Sequence, residues 1–153
     1  MEEWIEIARQ LMLGLLQRMG IETQVEGSIR EGDLYLEVKG DEEGILIGKH
    51  GRTLESLQLL INRMVNKQVK KPFRIILDIA DYKKRRTDSL KKMASRLGEN
   101  AKRTGSAITV GPFSAHDRRI IHMTLKEDPS LTTESLGEGE WKKIKITPTS
   151  HEQ

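Results

Sequence analysis

Two short runs hold residue types whose spacing could do chemistry. Gly48-Lys49-His50-Gly51 sets a cation and an imidazole between two glycines, after the apolar Ile45, Leu46 and Ile47 and before an amphipathic stretch starting at Arg52. Glycine permits the sharp bend such a break needs, and amide N–H groups at the start of a following helix can hold a phosphate. Lys49 supplies a flexible cation and His50 a donor or a stacking ring, and neither buries readily, so the loop suits a polyanion. The three apolar residues would then line one wall of a groove able to take bases. In the second run, Arg118 and His122 stand four apart in Arg118-Arg119-Ile120-Ile121-His122, hence on one face of a helix. A permanent cation beside a titratable ring can grip a phosphate or hydrogen-bond a base.

Each run has a plainer explanation. Gly-x-x-Gly alone is a helix-turn-helix corner in many chains, and Arg-x-x-x-His alone is a common surface pair. Gly44 to Lys49 approaches a Walker-type phosphate loop, but it is one residue short and His50 stands where Ser or Thr would hold magnesium. His50, His116, His122 and His151 lack zinc-ligand spacing, and no nucleophile elbow accompanies any serine. Neither a cofactor nor a metal is expected. The enzyme alternative is a metal-independent ribonuclease with His122 as general base and Arg118 or a lysine stabilising the phosphorane; it lacks a locatable second acid. The chain is expected not to be an enzyme.

The 153 residues carry a net charge of +3, unevenly placed. Residues 1–80 hold 11 basic and 13 acidic side chains, residues 81–153 hold 15 and 10. Nine of the basic ones fall between Asp81 and Arg103, where helical phase puts Arg85, Lys92, Arg96 and Arg103 on one face and Lys84, Lys91 and Lys102 on the next stripe. That density marks a solvated face or a polyanion contact. No cysteine is present, which fits a reducing cytoplasm, and no run approaches a membrane span. Aromatic residues are few, so an aliphatic groove with a phosphate grip is expected over aromatic stacking.

The elements that must position these residues follow from periodicity. Trp4, Ala8, Leu11, Leu15 and Met19, with Met12 beside them, predict a helix from Glu2 to Met19. IETQVEGSI and DLYLEVKG alternate around Arg30-Glu31-Gly32 and predict paired strands. Asp41, Glu42 and Glu43 are read as first-turn charges of a short helix running into the loop. Leu54, Leu57, Leu60, Ile61, Met64 and Val65 predict a buried stripe on a second helix, which Pro72 closes before the strand FRIILDIA. From Asp81 a long helix follows without a linker, its inward residues Leu90, Met93, Ala94, Leu97 and Ala101. Then come a strand (SAITVGP), a short helix (SAHDRRIIHMTL), two strands (LTTESLG and EWKKIKIT) and a polar tail expected to fray over 149–153.

The first half, with ILIGKHGRTLESLQ after helix, strand, strand and helix, resembles a type II KH domain. The second, with Arg118 and His122 on a short helix between strands, resembles the R-three-H domain, a single-stranded nucleic-acid-binding module. Together they resemble the Jag family of bacterial RNA-binding proteins. The resemblance implies an α+β chain of two small domains, a KH fold (α-β-β-α-α-β) over 1–80 and an R-three-H fold (α-β-α-β-β) over 81–148. It implies contact with single-stranded RNA, or single-stranded DNA, through Ile47, Gly48, Lys49, His50, Gly51 and Arg52, through Arg85, Lys92 and Arg96, and through Arg118, Arg119 and His122. It further implies a cytoplasmic RNA chaperone or post-transcriptional regulator linked to cell shape, division or sporulation, paired with a small KH-only protein or with itself, and not with a membrane. Many relatives carry an extra N-terminal domain and a charged linker; here Met1 already opens the KH helix, so functions resting on that domain are not expected. The alternative from the residues is a protein-assembly module using the KH fold for dimerisation, with Trp4 and the first helix as its partner surface.

Overall fold

The computed structural model describes residues 1–41, 44–70 and 73–149. Contacts divide the chain into two units, Met1–Lys83 and Lys84–Gln153.

In the first unit, helix α1 (Glu2–Arg18) buries Ala8, Met12 and Leu16, while Trp4, Leu11 and Leu15 are partly covered and Met19 lies beyond the last turn. The apolar stripe is centred one residue later than the periodicity suggested. Strands β1 (Val25–Arg30) and β2 (Asp33–Val38) form an antiparallel hairpin with Val25 opposite Val38. Glu31 and Gly32 both have positive φ, 52° and 86°, the backbone of a turn whose twist matches its strands. Strand β3 (Ile75–Ile79) joins β2 in parallel, Leu34 beside Ile75. A parallel neighbour requires a crossover, supplied by the glycine loop and helix α2 (Arg52–Val69). Strict alternation turns Leu34, Leu36, Val38, Ile75, Leu77 and Ile79 toward the helices, against Leu54, Leu57, Ile61 and Val65 of α2. Leu60 is not part of that stripe: it is 43% exposed, and its neighbour Leu59 is 61% exposed.

Side-chain amides bind α2 to the outer edge of β3. Asn66 donates to the Phe73 carbonyl (2.9 Å) and accepts from the Phe73 N–H (2.7 Å). Asn62 repeats the exchange at Ile75 (2.8 and 2.9 Å), and Gln58 accepts from the Leu77 N–H (3.0 Å). Steps of four residues on a helix rise about 6 Å and steps of two on a strand about 6.6 Å, so the two repeats stay in phase over three rungs. The helix therefore satisfies the groups that an adjoining strand would.

Two expectations need correction here. The helix foreseen before the glycine loop is a single turn over 45–47, closed by the Gly48 N–H on the Gly44 carbonyl, 3.0 Å. Gly44 (φ 67°) and Gly48 (φ 70°) interrupt the helical backbone at both ends. Asp41 caps that turn from outside, accepting from the N–H groups of Leu46 (3.1 Å) and Ile47 (2.9 Å). Glu42, Glu43 and Pro72 lie outside the described residues, as do 150–153 of the tail. Thr149 is not frayed: its N–H donates to the Ser130 carbonyl, 2.8 Å, and its hydroxyl to that of Pro129.

Helix α3 (Tyr82–Thr104) begins in the first unit and continues into the second, where Leu90, Ala94, Gly98 and Ala101 form its buried stripe, with Met93 and Leu97 half covered. Strand β4 (Ile108–Phe113), helix α4 (Ala115–Leu125) and strands β5 (Leu131–Leu136) and β6 (Lys142–Pro148) complete an antiparallel sheet in the order β4-β6-β5. Ser114 caps α4 by accepting from the Asp117 N–H. Helices α3 and α4 run side by side in the same direction: Arg86 pairs with Asp117 (2.9 Å) near their starts and Lys102 with Asp128 (2.7 Å) past the end of α4. Between these ties Gly98 lets the chains close up, since a Cβ there would stand 2.8 Å from Leu131 Cδ1 and 3.0 Å from Leu125 Cδ2.

The amide rungs make a test. Asn62→Ala leaves the Ile75 N–H and carbonyl without their partner, and unmet buried peptide groups cost about 1–3 kcal/mol. We expect the first unit to lose about 2 kcal/mol, with hydrogen exchange at Ile75 accelerated before that at Leu36; equal exchange in variant and parent would show that the rungs carry no stability.

Candidate nucleic-acid interface

The glycine loop is shaped by what crowds it. A Cβ on Gly48 would clash with Thr53 Oγ1, and one on Gly51 would stand 2.8 Å from a ring carbon of Tyr82. Both glycines have positive φ (70° and 79°), so sterics and backbone each require glycine there. Between them Lys49 and His50 form part of a 3-10 turn and are exposed, His50 in a left-handed conformation (φ 58°). Arg52, also exposed, follows at the first position of α2.

The amides of that helix start do not make an open cradle. The Gly51 N–H donates to the Gly48 carbonyl (3.4 Å), the Arg52 N–H to that of Lys49, and those of Thr53 (3.1 Å) and Leu54 (3.2 Å) both to Ile47. These four amides are used within the loop, so an anion there meets the exposed side chains of Lys49, His50 and Arg52 rather than the N–H groups of residues 51–54. The hydrophobic wall is also redistributed. Leu46 is fully buried in the core, Ile47 is half-buried, and Ile45 (49% exposed) lines a separate hollow with Met19, Ile21 and Thr23. Residue spacing places a loop; it does not tell which way each carbonyl or apolar side chain turns.

On α3, Arg85, Lys92, Arg96 and Arg103 are exposed on the side opposite the buried stripe. Lys102, on the neighbouring stripe, is committed: it donates to Asp128 and Glu99, which raises its pKa, and the same bond to Lys102 lowers that of Asp128.

The structure keeps Arg118 and His122 together against β5 and turns Arg119 away from them. Arg118 donates from Nε to the Phe113 carbonyl (3.2 Å), from Nη1 to Ser135 Oγ (3.3 Å) and from Nη2 to the Glu140 carbonyl (3.2 Å). Its guanidinium thus ties the end of β4, strand β5 and the turn before β6. His122 is exposed, with Nδ1 2.5 Å from Thr133 Oγ1 on β5. Arg119 points the other way, into an open groove of about 530 Å³ between α3 and α4, shared with Lys91, His116, Ile120, Met123 and Glu127. Sequence reasoning missed Arg86 and Asp117, the carboxylate being 4% exposed and held by the guanidinium at 2.9 and 3.3 Å. Their separation of 31 residues carries no local signal. Trp4, proposed as a partner surface, packs on Phe73 with ring centroids 4.9 Å apart and is half-buried.

Among the described residues no helix is long and apolar enough to cross a membrane. Residues 6–79 match the family described as KhpA/KhpB, KH domain, and residues 88–148 the R-three-H domain. The RNA-binding protein KhpB of Clostridium symbiosum is 36% identical over 129 residues, 84% of this chain and 58% of that one. Those of Lactiplantibacillus plantarum and Bacillus subtilis are each 30% identical, over 82% and 72% of this chain and 39% and 54% of theirs. The chain thus spans about half the length of the curated relatives it matches. With a KhpA/KhpB KH domain followed by an R-three-H domain, and homologous to KhpB along both, the chain belongs to the Jag family.

Proposed function

We propose that the chain binds single-stranded RNA, without catalysis, as a cytoplasmic RNA chaperone or post-transcriptional regulator. The observation that carries this reading is the exposure of Lys49, His50 and Arg52 on a loop bent between two positive-φ glycines. Its relatives' name, RNA-binding protein KhpB, supports the choice of polymer. A role in cell shape, division or sporulation rests on family resemblance alone. A ribonuclease reading is disfavoured by Arg118, whose guanidinium is spent on three protein acceptors. Single-stranded DNA shares the phosphates and competes through them.

A second reading concerns protein partners. Leu59 and Leu60 stand outward on consecutive positions of α2 at 61% and 43% exposure, an apolar spot suited to a second KH fold, in another copy or in a KH-only protein.

Replacing Lys49 and His50 together by Asp puts two negative charges where a phosphate should sit, and Asp tolerates the left-handed backbone at position 50. Affinity for single-stranded RNA should fall at least about tenfold with the melting temperature unchanged; parental affinity in a folded variant overturns the loop's role. Replacing Arg85, Lys92 and Arg96 by Gln should flatten the slope of log affinity against log salt by about 0.7 for each phosphate that is no longer neutralised. A parental slope would mark a solvated face. Leu59→Glu with Leu60→Glu should leave RNA affinity intact and reduce the mass measured by light scattering if the chain self-associates there.

A further inference from the structure

Lys91 and Arg119 are charged side chains without a hydrogen bond or ion pair among the described residues, and both line the α3–α4 groove. This contrasts with Arg118 and Lys102, the cations on either side, whose donors are occupied. The groove also carries apolar side chains: Ile120 is half-buried and Met123, flexible and polarisable, is 52% exposed. Along α4 the lining runs from His116 and Arg119, past Ile120 and Met123, to Glu127. One end attracts an anion, the middle offers a flexible apolar surface, and the far end presents a carboxylate that repels phosphate and accepts from an N–H donor. About 530 Å³ falls within the span of small-ligand clefts.

We propose that this groove is the nucleotide subsite of the second unit: Lys91 and Arg119 hold a phosphate of the strand, and the adjacent base lies over Ile120 and Met123, its exocyclic amine directed to Glu127. The subsite rests on the RNA-binding reading given above, and it moves the contact from the Arg118–His122 face to the opposite side of α4. A carboxylate accepting from a base amine favours cytosine or adenine over uracil. The charge gradient also excludes an acidic peptide that would have to lay negative charge along the whole groove.

The test uses the whole chain and single-stranded 12-mers of C, A or U at one salt concentration. Lys91→Glu with Arg119→Glu should weaken binding at least about tenfold, and Met123→Ser, which changes no charge, at least about threefold. Glu127→Gln should shrink the preference for C over U. In nuclear magnetic resonance titrations, Arg119, Met123 and Thr124 should shift on addition of C-tetramer while Ser135 does not. Overturning results are equally direct: parental affinity in Met123→Ser, shifts confined to His122 and Thr133, or saturation of the groove by polyglutamate with no competition from RNA. The loop variant Lys49→Asp/His50→Asp separates the two ideas. If it loses affinity while the groove variants do not, RNA binding stands and this subsite falls; if the parent shows no RNA affinity and no shifts, both fall.

Discussion

The three amide rungs from α2 to β3 set the geometry on which the first unit depends. Apolar burial alone would let a helix roll or slide on a sheet, because dispersion and hydrophobic contacts have little direction. Bonds from Gln58, Asn62 and Asn66 to the alternate residues Leu77, Ile75 and Phe73 remove both freedoms. Since α2 starts at Arg52, immediately after the glycine loop, fixing the helix also fixes where Lys49 and His50 are presented. An anion meeting that loop encounters a backbone already in place, so the ordering entropy charged against binding is confined to side chains.

The same rungs decide how the sheet can grow. Lys39 donates to the Gln24 carbonyl and Ala80 to that of Val38, which fixes the alternation along β1 and turns the peptide groups of Val25, Gly27 and Ile29 away from β2. Among the described residues no backbone group pairs with them, whereas the β3 edge is covered by the α2 amides at Ile75 and at the Leu77 N–H. A sheet with one open edge can pair with another once, and cannot extend into a fibre.

How much was legible in the sequence depended on whether the signal was local. Alternation found β1 and β2, a short β-branched run found β3, and helical phase found α3 and its buried Leu90, Ala94 and Ala101, because each signal lies within a few residues. The glycines of the loop were legible for the same reason. Orientation was not: Leu60 looked like part of the stripe but sits at its margin, and Leu46 looked like a groove wall but faces the core. Long-range pairs were invisible, as with Arg86 and Asp117 or Asn62 and Ile75. In the second unit, adjacency misled. Arg118 and Arg119 are consecutive, yet one turns to the sheet and the other to the α3–α4 groove, since neighbours on a helix stand 100° apart.

The three bonds of Arg118 bear on what its motif signifies. An arginine that stitches β4, β5 and the turn before β6 contributes to holding the unit together, whether or not any ligand ever arrives. Selection for folding alone would retain it in a chain that had ceased to bind, and a search keyed to it would still return that chain. The arginine of the pair spaced four residues apart therefore reports architecture at least as directly as it reports ligand contact. Divergence in activity among chains that share it must be sought at positions the motif does not name.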